Sequence, residues 1–420
     1  MLKAGVSLLD ISPEKGVQLT GYPHCPRPNE GIHDPLYAAC LYLNNGIKEV
    51  VFLTLDLLKF DKNCVKKLRE AVGFDLMVTT SHTHSGPLVG EIYSFEYEEG
   101  IRRDDAYIEA LMANLQKKIL EAKAHAFDAV IGTAVGKCGA EQGVGGNRRH
   151  KGGLCDPSVN VIGVKDMEGK VRACLLNYAL HPTYLHAENV LVSADYPGYV
   201  RRFLHFSKPD AVFLFAQGTS GDQSSRYHRV AQNFEEAARV GTTLGVAVNN
   251  CLESMDYTDT LDIEVKSIEI DLPRKAYPPE DEAKSAMIAA QKRFDSLRNA
   301  DYITMRNAEL DMFGAENIYY YSREIARGYQ CTELPCEIQS ITLGDTIIVG
   351  VQGEIFVEYG LAIKAASKHK KTFVFELTNG GLPGYIYSPE ALEEGGYEVG
   401  SSMMTENAGA VIVEGAKKVL

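Results

Sequence analysis

The chain has 420 residues, 45% hydrophobic and 24% charged, which is enough for one large domain or two to three ordinary ones with a sizeable core. With 43 Lys and Arg against 56 Asp and Glu the net charge is −13, which argues against broad binding to nucleic acid or anionic membrane; Arg148-Arg149-His150-Lys151 is too small a basic cluster to reverse that. The 9 cysteines are scattered without a Cys-x-x-Cys pair, so buried free thiols are expected and a disulfide framework is not.

Met1-Leu2-Lys3-Ala4-Gly5-Val6 carries no charged-then-apolar leader, and no run approaches the roughly 18 apolar residues of a membrane span. The expectation is a cytoplasmic protein with no stable membrane insertion. Residues 4–11 alternate as a strand that stops at Ser12-Pro13, and Gly21-Tyr22-Pro23 with Pro26 and Pro28 makes an irregular loop. Residues 36–43 and 50–57 read as a hairpin around Asn44-Asn45-Gly46. Residues 61–72 have helical spacing, and the apolar run 75–78 is a buried strand leading into Thr79-Thr80-Ser81-His82-Thr83-His84-Ser85-Gly86-Pro87. Two histidines two positions apart share a face on extended backbone, and paired imidazoles are a common start to a metal site.

Residues 91–100 form an acidic, aromatic loop, and 104–124 a helix with Asp104 and Asp105 in its first turn and lysines in its last. A strand over 130–135 precedes the Gly-rich, basic loop 143–153, which no helix follows, so it is not a phosphate cradle. Strands over 159–165 and 171–180 flank Met167-Glu168-Gly169, the second ending at His181-Pro182. Asp195-Tyr196-Pro197 opens a helix to about residue 205, with Asp195 as N-cap. An apolar strand over 211–216, a loop of Gly, Ser and Thr, and a helix over 234–255 follow. Residues 261–272 alternate as an exposed strand. Residues 278–313 are charged and helical, and an insertion or lid is expected over about 278–330. A second hairpin over 338–351 ends at Gly353-Glu354; 357–368 is helical, 373–377 a strand and 408–420 a terminal helix.

No internal repeat or linker is visible, so 1–420 reads as a single domain. Alternating helices and apolar strands predict an α/β protein with a largely buried sheet. His82, His181, the Ser224 loop, Glu354 and the Tyr385 loop all lie just past strand ends, where open α/β sheets place their sites.

Taken together in order, these motifs resemble the neutral ceramidase family, zinc-dependent amidases that cleave the N-acyl bond of ceramide. The resemblance runs through Ala4-Gly5, Asp10-Ile11-Ser12-Pro13, Gly21-Tyr22, Gly31-Ile32-His33 and Thr83-His84-Ser85-Gly86-Pro87. It continues with His181 and, fourteen positions on, Asp195, then Phe215-Ala216-Gln217 before Gly221 and Ser224, and Gly353-Glu354. Gly384-Tyr385-Ile386 leads to Ser388-Pro389-Glu390, and Tyr397-Glu398 follows twelve positions after Tyr385. It implies a large mixed-sheet catalytic domain and a Zn2+ ion held by His82, His181, Glu354 and Tyr385. It also implies Ser224 as nucleophile, with a metal-bound water taking its proton, His84 and Tyr397 holding the oxyanion, and Arg148 orienting substrate or oxyanion. Two imidazoles and a carboxylate are a familiar catalytic zinc set; a tyrosine ligand is less usual, because its hydroxyl keeps its proton to a pH of about 10.

The chain departs from the family in three places. Ser224-Ser225 stands where the family has Ser-Pro, leaving a one-residue slip open. The loop after His181 is richer in ionisable groups, including His186 and Glu188. The sequence stops soon after Tyr397, so the family's C-terminal immunoglobulin-like domain is expected to be absent and long-chain ceramide to be a poor substrate. The expected substrate is a small-molecule or lipid-like amide, and the oligomeric state stays open. The alternatives are an amidohydrolase-type metal hydrolase, whose barrel needs eight regular βα units, and a non-catalytic metal-binding protein.

Overall fold

A computed structural model describes residues 1–22, 25–90, 102–328 and 334–420. The loop expected over 91–100, Pro23 and Cys331 lie outside the described residues. The architecture is built from one strand pattern used three times. The first unit comprises β1 (Leu2–Asp10), β2 (Tyr37–Asn44), β3 (Glu49–Leu55), α1 (Lys62–Val72), β4 (Asp75–Thr80) and α2 (Asp105–Ala124). The second comprises β5 (Phe127–Lys137), β6 (Ser158–Asp166), β7 (Val171–Tyr178), α3 (Tyr196–Ser207), β8 (Val212–Gln217) and α4 (Phe234–Ser254). The third begins with β9 (Ile263–Asp271), is interrupted by α5 (Glu280–Ser296) and α6 (Tyr302–Ala326), and resumes with β10 (Pro335–Leu343), β11 (Thr346–Val351), α7 (Val357–Ala366), β12 (Lys371–Phe375) and α8 (Ala408–Lys417).

In each unit the first three strands pair antiparallel, and the fourth returns through a crossover helix to pair parallel with the third. The expectation of no internal repeat is therefore corrected at the level of topology. Only the order of hairpin, helix and strand recurs, so nothing in the residues announces it.

Units one and two join through a short antiparallel contact of β1 with β5 over Leu2–Ala4, making one eight-stranded sheet; unit three is a separate four-stranded sheet. The two sheets pack face to face, with helices on their outer faces. Side-chain alternation explains why. In β2, Ala38, Cys40 and Tyr42 face α1 and α2, while Ala39, Leu41 and Leu43 enter the inner core with Phe52, Ile348, Phe373 and Phe375. Helices α3 and α4 cover the second unit, and α7 and α8 the third. Truncating a fully buried residue of this inner layer, such as Phe373, would cost about 3–5 kcal/mol. Among the described residues the strands form this layered sandwich and no parallel eight-stranded barrel, so the amidohydrolase alternative does not fit the fold.

Strand twist brings edge strand β8 back against β2, β3 and β4. The ends of the three parallel pairs thus meet: Asn379 N–H bonds Val78 O at 2.7 Å, and Glu376 N–H bonds Gln217 O at 2.9 Å. The helical insertion is two helices, not one over 278–313. The chain breaks after Leu297 because Asp301 caps a new helix, its carboxylate accepting from Thr304 N–H at 3.1 Å. The two pair as a hairpin, tied by Arg293 to Asp311 at 3.0 Å. Among the described residues no helix is long and apolar enough to cross a membrane, and the described cysteines are free.

Candidate metal centre

The chain leaves β4 at Thr80 and turns at His82, whose φ of +65° lies in the left-handed region. The two histidines are therefore not aligned by strand alternation, as the sequence suggested. A backbone bend, held by His82 N–H to Leu57 O at 2.9 Å, sets the rings edge to face with centroids 5.0 Å apart. Such a bend costs about 1–3 kcal/mol at a non-glycine residue and tends to be kept at functional sites.

His82 Nδ1 bonds Leu58 O at 2.9 Å, and His181 Nδ1 bonds Ser220 O at 2.6 Å. A carbonyl only accepts, so both Nδ1 atoms carry the proton and both Nε2 atoms are left as lone pairs. Those lone pairs converge on one oxygen: Glu354 Oε2 lies 3.1 Å from His181 Nε2 and 3.3 Å from His82 Nε2. Two lone pairs and a carboxylate oxygen so close repel one another unless a cation or proton lies among them. His84 joins from the side, and among the described residues its two ring nitrogens have no hydrogen-bond partner. Nitrogens of His82, His84 and His181 lie within 4.8 Å of one another.

Burial, followed by the charge of Arg148, pushes the His181 pKa down to about 4. Burial and the neighbouring imidazoles hold His84 well below its ordinary value. Burial acts upward on Glu354, but the two imidazoles outweigh it and keep this carboxylate well below the usual range. At neutral pH the cluster thus offers neutral His84 and His181 imidazoles and one anion. This donor set suits a divalent cation such as zinc.

Tyr385 is the neighbour of Glu354 in a parallel bridge that also pairs Ile355 with Ile386. Its ring lies nearly parallel to His181 at 6.4 Å and under the Arg148 guanidinium at 5.3 Å. Burial, then Glu354, raises the Tyr385 hydroxyl well above its ordinary pKa, so a phenolate here needs a cation beside it. Tyr397 stands 5.8 Å from Tyr385, its hydroxyl pushed up to about 12 by burial and Glu354, and it is a proton donor at neutral pH. Arg148 is locked to Glu398 through Nε at 2.8 Å, and Glu398 also binds Arg149 at 2.8 Å.

Ser224 is buried on the short bridge of Gln223–Ser224 with Gly146–Asn147, next to Arg148. Arg148 N–H bonds Asp222 O at 2.7 Å, and His181 N–H bonds Gln223 O at 3.2 Å, which ties this bridge to the cluster. Ser224 Oγ accepts from Arg226 N–H at 3.2 Å; Ser225 Oγ accepts from Arg229 Nη1 at 3.4 Å. Among the described residues no hydrogen bond joins Ser224 Oγ to a histidine of the cluster. The serine that does touch His181 is Ser220, whose Oγ lies 3.2 Å from Nδ1 and donates to Glu376 Oε1 at 2.6 Å. Sequence reading missed both. Glu376 had a signal, an acid closing the apolar run Phe373-Val374-Phe375; Ser220 had none.

The wall beside His84 is the Gly21–Tyr22 loop. Gly21 has φ +103°, and a Cβ there would fall 2.5 Å from the His84 ring, so only glycine fits. The Tyr22 ring stands 5.0 Å from both His84 and His186, and its hydroxyl bonds Leu185 O at 2.7 Å.

The mixed α/β sandwich thus gathers three imidazoles and a carboxylate at its shared strand ends. No family model and no curated protein matches the sequence. Solved structures do. Neutral ceramidase from Pseudomonas aeruginosa matches with a TM-score of 0.75 and 18% identity, over 100% of this chain and 74% of that one. A ceramidase complexed with C2 matches with a TM-score of 0.74 and 15% identity, over the same 100% and 74%. The chain has the fold of the neutral ceramidase structures.

Proposed function

We propose that this protein is a zinc-dependent amide hydrolase of the neutral ceramidase type. The observation that carries the reading is the convergence of the His82 and His181 Nε2 lone pairs on one Glu354 oxygen. His82, His181 and Glu354 would hold the ion, with Tyr385 beside them as a fourth ligand, while His84 stands next to them facing the substrate. When bound, zinc would polarise the amide carbonyl and make its water acidic.

Ser224 is the proposed nucleophile: its Oγ would bond the amide carbonyl carbon while its proton passes to water in the site and on to the amide nitrogen. The C–N bond would break to release the amine, and water would then hydrolyse the acyl ester left on Oγ. The oxyanion that forms would meet hydrogen-bond donors in His84 and in the protonated Tyr397 hydroxyl. Arg148, fixed by Glu398, would orient the substrate from the other side of Tyr385. The test compares wild type with Ser224→Ala on short N-acyl amines, measuring metal content and turnover. The reading expects turnover in wild type, and lost turnover with metal retained in the variant. A wild type that cleaves no amide, yet holds metal, would favour the non-catalytic metal-binding alternative.

A further inference from the structure

The arginines grouped near Tyr22 and Arg148 come from separate parts of the chain. Arg226 follows the Ser224 loop and donates from Nη1 to the Arg148 carbonyl at 3.1 Å. Arg229 donates from Nη2 to the Tyr302 hydroxyl at 3.3 Å, on the first turn of α6. Arg306, one turn further along α6, lines a cavity of about 500 Å³ together with Tyr302 and His186, and His186 packs on Tyr22, the residue that walls His84.

Two of the acids nearby are engaged by arginines: Glu398 serves Arg148 and Arg149, and Glu309 pairs with Arg306. Glu188 lies 2.9 Å from His186 with its carboxylate largely in solvent. Among the described residues Arg226 and Arg229 have no carboxylate in an ion pair; their side chains donate to the Arg148 carbonyl and the Tyr302 hydroxyl. In a chain of net charge −13, two guanidiniums without a carboxylate of their own, grouped with the paired Arg148 and Arg306 next to a cavity of ligand size, mark a place for an anion.

We infer that the substrate carries an anionic oxygen group, a carboxylate or phosphate, received by Arg226 and Arg229 with Arg148 and Arg306 behind them. This rests on the amide-hydrolase reading and narrows it to charged amides, such as N-acyl amino acids or N-acyl phosphoethanolamines, in place of neutral ones. The guanidinium fork suits either group.

Titration calorimetry on the metal-loaded protein with three butylsulfonamides tests this. One is built on glycine, one on phosphoethanolamine and one on ethanolamine. Sulfonamides are not cleaved by amidases, so the result stands apart from whether the amide-hydrolase reading holds. The expectation is a preference of about tenfold or more for an anionic ligand over the neutral one, weakening with added salt. Preference for only one of the two anions identifies it as carboxylate or phosphate. In Arg226→Gln and Arg229→Gln the ratio should fall towards one. Arg226→Gln also loses its bond to the Arg148 loop; should it fail to fold, Arg229→Gln and the wild-type comparison still decide. Equal affinity for all three ligands in wild type, or a ratio unchanged in folded variants, overturns the proposal.

Discussion

Ser220 Oγ donates to Glu376 Oε1 at 2.6 Å, and this bond ties the end of β8 to the end of β12 directly behind the metal cluster. Ser220 also presents its carbonyl to His181 Nδ1, and the other Glu376 oxygen accepts from Ile355 N–H at 2.7 Å, beside Glu354. The pair therefore braces one imidazole and one carboxylate of the cluster at once. Supporting contacts of this kind typically affect metal affinity 10- to 100-fold, by about that order. Ser220→Ala should keep the metal but weaken its affinity by about that factor, measured by competition with a chelator. Unchanged affinity would mean that the pair serves only to join the two sheets.

The two tyrosines should separate. Tyr385→Phe removes a proposed ligand oxygen and should lower metal affinity about tenfold or more. Tyr397→Phe should leave metal and substrate affinity nearly unchanged and lower kcat and kcat/KM together, by roughly 100- to 1,000-fold for an oxyanion donor. A metal titration and steady-state kinetics on both variants decide. The reverse pattern would exchange their roles.

Asp195 is fully buried at the N-cap of α3, where it accepts from Tyr196 N–H at 2.6 Å and Leu185 N–H at 3.0 Å. Burial raises its pKa to about 7, against about 3.9 unfolded. Between these values the folded state holds a proton that the unfolded state has released. Its contribution to stability therefore falls as pH rises from about 4 to about 7 and is level above, by at most about 4 kcal/mol. Asp195→Asn should remove that slope. Denaturant melts of both proteins at pH values across the window, compared as a difference, check it; parallel curves would contradict it.

Gly5 on β1 faces the backbone of α2, and a Cβ there would fall 1.8 Å from Ala122 O. Because the clash is with backbone, no rotamer relieves it, and β1 or α2 must shift. Gly5→Ala should cost about 1–3 kcal/mol, or more if the helix cannot move. A thermal melt within error of wild type would show that α2 slides freely over the strand.

The strands and most helices were legible because apolar alternation decides which faces meet, and Asp61, Asp104 and Asp195 cap helices where the pattern begins. The break between α5 and α6 was hidden, since the charged, helical composition continues through it and Asp301 is a weak cue among many acids. The threefold topology was hidden too, because each unit needs only alternating apolar positions and shares no motif. Within the candidate site, His82, His181, Glu354 and Tyr385 were named only through the resemblance of ordered motifs, and the fold places them near one another. The His82 backbone turn, the Ser220–Glu376 brace and the arginines from the Ser224 loop and α6 arise from long-range packing that no local pattern records.

The metal content of His181→Ala against wild type, purified side by side and measured by elemental analysis, tests the central claim most directly. His181 has one imidazole nitrogen fixed on Ser220 and the other on the Glu354 oxygen, which puts it at the centre of the proposed ligand set. About one zinc per chain is expected in wild type and close to none in the variant, since catalytic zinc sites rely on three protein ligands. Full occupancy in a folded His181→Ala protein would contradict the account.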